Sequence, residues 1–144
     1  MKKILVIDDE PPVARLIAEA LNAAEVEHTL DYCSDGGQGR VKAAQGDYDL
    51  IALDLAMPFM DGIEALTEMK QNPRTANIPV VVVTGVMDPQ LHQKAMALGA
   101  AALIVKPFRT RELADTFEQV LSGEQVGPPP PGRPGSGLSR LGEE

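Results

Sequence analysis

Tryptophan is absent from this 144-residue chain, and three Phe and two Tyr are its whole aromatic complement. Any core must therefore be built from aliphatic side chains, which the 44% apolar content can supply for one domain of this length. A single cysteine, Cys33, excludes an internal disulfide, fits a reducing compartment, and reads as a small buried apolar side chain. No apolar run approaches the roughly 20 residues that a membrane-spanning helix needs. Lys2 and Lys3 precede only four apolar residues, which run straight into acids without a small-residue cleavage site, so a secretory signal is not supported. The expectation is a soluble cytoplasmic protein with no membrane partner. Cations are also scarce. Thirteen Lys and Arg against 21 Asp and Glu give a net charge of -8, which argues against direct nucleic-acid binding and favours a cation site.

Four short apolar runs are present: Ile4-Leu5-Val6-Ile7, Leu50-Ile51-Ala52-Leu53, Val80-Val81-Val82-Val83 and Leu103-Ile104-Val105. They have strand length and do not alternate polar with apolar, the pattern of strands buried on both faces of a parallel sheet. Residues Glu27 to Tyr32 do alternate and suit an edge strand. Helical stripes fill the gaps. Val13, Leu16, Ile17, Ala20, Leu21 and Ala24 step by three and four after Pro11-Pro12. Similar spacing marks Ile63, Leu66 and Met69, then Leu91, Ala95 and Leu98, then Leu113, Phe117 and Val120. Ser34 to Gln45 is the poorest helix, because Gly36, Gly37 and Gly39 each cost up to about 1 kcal/mol relative to Ala. Five strand–helix repeats predict an α/β fold: one doubly wound (βα)5 domain, residues 1–122, with a flavodoxin-like parallel sheet of order 2-1-3-4-5.

From residue 123 the composition changes. Eleven of the last 22 residues are Gly or Pro, including four consecutive prolines, and little there could be buried. Residues 123–144 are expected to form a flexible tail, extended at the prolines and acting as a linker or an inert end. These residues are not expected to fold into a second module, such as a DNA-binding unit.

In a doubly wound sheet, ligands bind beyond the carboxyl ends of the strands. The first strand ends in Asp8-Asp9, the third in Asp54, the fourth in Thr84 and the fifth in Lys106. The predicted winding brings these groups to one rim. At an effective dielectric near 20, two carboxylates about 4 Å apart repel by roughly 4 kcal/mol. A hard divalent cation relieves that repulsion, and Mg²⁺ is suited to a few carboxylates plus water and phosphate oxygens. An ammonium and a hydroxyl beside it suit an anionic oxygen group. A cation site next to an oxyanion site, with a carboxylate between them, is equipment for phosphoryl transfer to an aspartate.

The stretches "VIDDE", "LDLAMPFMDG", "VVVVTG" and "LGAAALIVKPF", in this order and spacing, resemble the receiver domain of bacterial two-component response regulators, the CheY-like group. The likeness runs from about Lys2 to Ser122. It implies a phosphorylatable switch, not an enzyme acting on a separate substrate. Asp54 would accept a phosphoryl group from a phosphohistidine of a sensor histidine kinase or phosphotransfer protein. Asp9 and Asp54 would ligate Mg²⁺ directly, the Ala56 backbone carbonyl would donate too, and Asp8 would act through water. Lys106 would pair with the phosphoryl group, and the Thr84 hydroxyl would bond one of its oxygens. The family carries a cis bond at the position of Lys106-Pro107, and Gly85 stands where alanine is more usual. The downstream protein partner, or a further relay step, stays open.

One position departs from the family pattern: Leu103 occupies the place of an aromatic residue whose rotation reports phosphorylation. Other features are assigned lesser roles. His28 and His92 lack metal-type spacing and read as surface or packing residues. Gly36-Gly37-Gln38-Gly39 lacks the Lys-Ser/Thr of a phosphate loop and is expected only to loosen a helix start. Met57, Met60 and Met69 read as packing around the Asp54 loop. A haloacid dehalogenase-type phosphatase would use similar parts, but it requires an Asp-x-Asp nucleophile on the first strand, whereas Asp9 is followed two residues on by Pro11. An interaction module that kept the fold and lost the chemistry is disfavoured by the complete pocket set.

Overall fold

The chain alternates strand and helix: β1 (Lys2–Ile7), α1 (Pro11–Ala23), β2 (His28–Cys33), α2 (Gly36–Gln45), β3 (Leu50–Leu53), α3 (Gly62–Gln71), β4 (Val80–Thr84), α4 (Pro89–Ala97), β5 (Ala102–Val105) and α5 (Thr110–Leu121). The computed structural model describes residues 1–57 and 61–123. Apart from Gly123, the expected tail lies outside the described residues, and so does Met60. The five strands form one parallel sheet of order β2-β1-β3-β4-β5, as the repeat pattern predicts.

The continuous apolar runs have a direct structural cause. Successive residues of a strand point to opposite faces, and both faces here are covered. Ile4 and Val6 of β1 enter a cluster with Ile17 and Leu21 of α1 and Leu113 and Phe117 of α5. Leu5 and Ile7 enter a second cluster with Ala43 of α2, Leu66 and Met69 of α3, and Ala95 of α4. Two helices therefore cover one face and three the other. No described helix is long and apolar enough to cross a membrane.

Two expectations need correction. β5 is not buried on both faces, because it is an edge strand and only Ala102 and Ile104 are fully covered. β2 occupies the opposite edge, but its burial does not alternate cleanly; only Cys33 is fully buried.

Helix starts follow local chemistry. α3 has a full capping box, with the Asp61 side chain accepting from Glu64 N–H and the Glu64 side chain accepting from Asp61 N–H. The α2 glycines do more than loosen that helix. Gly36 and Gly39 are buried, and a Cβ on Gly39 would lie 2.6 Å from the Ile7 side chain, so this helix comes close to β1 because it lacks side chains there. Gly62 is tighter still. A Cβ there would collide with the Asp54 carbonyl oxygen and the Leu55 Cα, so the first turn of α3 is packed directly under the end of β3.

Gly62→Ala is accordingly expected to destabilise the protein by about 1–3 kcal/mol through overpacking against backbone. Gly37→Ala, whose Cβ would meet only the flexible Asp35 carboxylate at 3.4 Å, should stabilise it by about 0.4–1 kcal/mol. Urea unfolding of both variants against the parent chain checks the contrast.

Candidate functional site

Strand register sets the site. Ile7 pairs with Leu53, so Asp8 and Asp54 leave the sheet side by side, and Asp54 N–H donates to the Ile7 carbonyl at 3.0 Å. Thr84 pairs with Val105, and Lys106 N–H donates to the Thr84 carbonyl at 2.8 Å. The winding direction of the sheet reverses between β1 and β3, which opens the rim at the two acids. The Lys106–Pro107 peptide bond is cis.

The Lys106 ammonium is the hub. Nζ donates to Asp8 Oδ2 at 2.8 Å, to Glu10 Oε1 at 2.9 Å and to Asp54 Oδ2 at 3.3 Å. Asp8 and Asp54 side chains are 2% and 6% exposed, Lys106 16%, and Glu10 62%. Three carboxylates around one ammonium leave two negative charges uncompensated (three minus one). Burial pushes the Asp8 carboxyl above its usual range, outweighing the downward pull of Lys106 and of the Glu10 N–H that donates to Asp8 Oδ1 at 2.8 Å. For Lys106, burial alone would lower the ammonium, yet its carboxylate partners outweigh it and hold the ammonium well above the usual lysine range. The two groups differ in what wins: for Lys106 its carboxylate partners outweigh burial, whereas for Asp8 burial outweighs the single ammonium.

Oxygen atoms of Asp8, Glu10 and Asp54 lie within 4.8 Å of one another. Hard, anionic oxygen donors with surplus negative charge, two of them buried, fit a divalent cation of the Mg²⁺ type. Of the residues singled out in the sequence, Asp8, Asp54 and Lys106 are brought into contact. Thr84 is fully buried at the neighbouring strand end, and its Oγ1 accepts from Val86 N–H at 3.1 Å. Asp9 is exposed and stands outside the acidic triad. Ala56 N–H donates to Asp54 Oδ1 at 3.2 Å.

Sequence reading missed Glu10 as a member of this cluster. The signal was present in the run Asp8-Asp9-Glu10, but the turn that brings Glu10 back over Asp8 is a side-chain-to-backbone bond with no spacing signature. The histidines behave as expected of packing residues. His28 Nδ1 lies 3.0 Å from the Val26 carbonyl, and His92 Nε2 lies 2.6 Å from the Val86 carbonyl. A carbonyl only accepts, so each of these ring nitrogens carries a proton. Cys33 is buried and its thiol is pushed up by that burial, in keeping with a packing role.

Residues 4–118 match the family model described as response regulator receiver domain. The chain is 36% identical over 121 residues to the response regulator ArlR of Staphylococcus saprophyticus, covering 84% of this chain and 53% of that protein. It thus spans about half the length of that curated relative, and of others such as the glycerol metabolism activator of Pseudomonas putida. Among solved structures it is similar to the chemotaxis response regulator CheY4 of Vibrio cholerae, at 28% identity and TM-score 0.74, covering 83% of this chain and 98% of that one. It is also similar to the manganese-bound form of response regulator Rcp1, at 29% identity and TM-score 0.73, covering 90% and 100%.

Removing the hub cation should be costly. Lys106→Met in metal-free protein is expected to lose about 2–4 kcal/mol of stability near neutral pH, since buried carboxylates are left unpaired. Asp8 in the folded state then binds a proton more readily than in the unfolded chain. The folded state therefore gains relative stability as pH falls through that raised range, and the deficit should shrink on acidification. Denaturant melts of both proteins between neutral and mildly acidic pH measure this.

Proposed function

This chain belongs to the response regulator receiver domain family, and we propose that it works as a phosphorylatable switch with Asp54 as the acceptor. A receiver domain is a signalling component of two-component systems. The finer reading rests on one observation: the buried carboxylate of Asp54 shares a lysine ammonium with the adjacent buried carboxylate of Asp8.

The donor is a phosphohistidine on a sensor histidine kinase or a phosphotransfer protein. An Asp54 carboxylate oxygen forms a bond to phosphorus while the phosphorus–imidazole nitrogen bond breaks, and the departing imidazole keeps the bonding pair and takes up a proton. Asp54 Oδ1 is oriented by Ala56 N–H, and Oδ2 makes the longest of the three Lys106 contacts, which leaves the nucleophile only loosely engaged. Asp8, Asp9, Asp54 and the Ala56 carbonyl would hold Mg²⁺, which, when bound, neutralises charge on the transferring group. Lys106 orients a phosphoryl oxygen with its ammonium. The Thr84 hydroxyl donates its own proton to a second oxygen.

The signal then passes through the loop after β4. Thr84 moving toward the phosphoryl group carries Val86, whose N–H it holds and whose carbonyl is held by His92 of α4. Leu103, half-buried against the α4 side of the sheet, fills the place of the usual aromatic reporter but has no hydroxyl-bearing ring to swing. Output goes by conformational change to a protein partner or onward through a relay. Coupling of about 1–3 kcal/mol is enough for such a population shift.

Intact-mass measurement after incubation with Mg²⁺ and a small phosphodonor tests the reading. The parent chain should gain one phosphoryl group, and both Asp54→Asn and chelator-treated parent should gain none. An unmodified parent chain defeats the reading, while equal gain by Asp54→Asn removes Asp54 as acceptor.

A further inference from the structure

Glu10 holds a helix-start position without doing the work of a cap. It is the N-cap of α1, yet its side chain makes no capping hydrogen bond. The reason lies in the next two residues. Pro11 and Pro12 have no N–H to be capped, and Val13 N–H is already satisfied by the Glu10 carbonyl at 3.0 Å. The carboxylate is thereby freed for another partner. Pro11 also restricts Glu10 to extended backbone, observed at φ -109° and ψ 100°, and Asp8 Oδ1 fixes the Glu10 N–H. The loop is held at both ends. The Glu10 carboxylate is delivered to Lys106 Nζ at 2.9 Å, nearer than Asp54 at 3.3 Å.

We propose that Glu10 is a positioning residue that competes with the phosphoryl group for Lys106. This rests on the acceptor reading of Asp54. In the resting pocket Asp8 and Glu10 hold the ammonium more closely than Asp54 does, and Glu10 holds it from the solvent side. A phosphoryl group on Asp54 recruits Lys106 only by taking it from Glu10, the most exposed of its three partners. Glu10 therefore biases the switch toward its unphosphorylated arrangement.

The test titrates beryllofluoride, a mimic of the aspartyl phosphoryl group, into the full chain at saturating Mg²⁺, with affinity read by calorimetry. Glu10→Gln keeps the shape and removes the charge. For a pair this exposed, the variant should bind beryllofluoride about two- to fivefold more tightly than the parent. In a Lys106→Met background, which saturating Mg²⁺ supports by supplying the missing positive charge, the same Glu10→Gln change should have no effect. No tightening in the first pair overturns the proposal. Equal tightening in both backgrounds also overturns it, because the effect would then be removal of a negative charge and not release of Lys106. A parent chain that binds no beryllofluoride overturns the acceptor reading, and the proposal with it; binding without tightening overturns the proposal alone.

Discussion

Three carboxylates converge on one ammonium at the carboxyl end of the sheet, and the rest of the molecule can be read as the means of holding them there. Asp8 and Asp54 are adjacent because β1 and β3 pair in register to their last residues. Lys106 reaches them because the β4–β5 ladder brings it past Thr84. Neither acid would be tolerated at such burial without a cation, since desolvation and mutual repulsion both act against the charged forms. The rigid two-sided core supplies the restraint. Leu5, Ile7, Ile51 and Leu53 anchor the strands on one face, while Ile4, Val6, Leu50 and Ala52 anchor them on the other.

The acidic surplus makes the site responsive. A pocket neutralised by Lys106 alone would have no use for a further cation, whereas two uncompensated charges favour one. In the proposed switch the same lysine serves two states: it sits among the acids at rest and is available to a phosphoryl oxygen afterwards. The proposed route runs through the β4–α4 loop, where the Thr84 hydroxyl accepts from Val86 N–H and the His92 ring donates to the Val86 carbonyl.

Much of this was legible from the residues alone. The unbroken apolar runs implied strands covered on both faces, and their number and spacing gave the sheet order that the structure shows. The strand-end chemistry of Asp8, Asp54, Thr84 and Lys106 could be gathered at one rim before any coordinates, because topology fixes where strand ends meet. What could not be read was local. The place of Glu10 depends on a side-chain-to-backbone turn and on prolines that release its carboxylate. The tight seats of Gly39 and Gly62 depend on how closely helix and strand approach, which no periodicity encodes. The half-exposure of β5 follows from its place at the sheet edge, where an apolar run looks the same as in the centre.

The most direct measurement of the central claim follows the Lys106 ammonium itself by NMR while Mg²⁺ is titrated into the protein. If the ammonium is the resident cation of the acidic pocket, its side-chain signals should shift as the metal is added and stop shifting once the site is saturated. Metal binding that leaves the Lys106 signals unchanged would contradict the account, because the cation would then be held somewhere other than the carboxylates that this lysine occupies at rest.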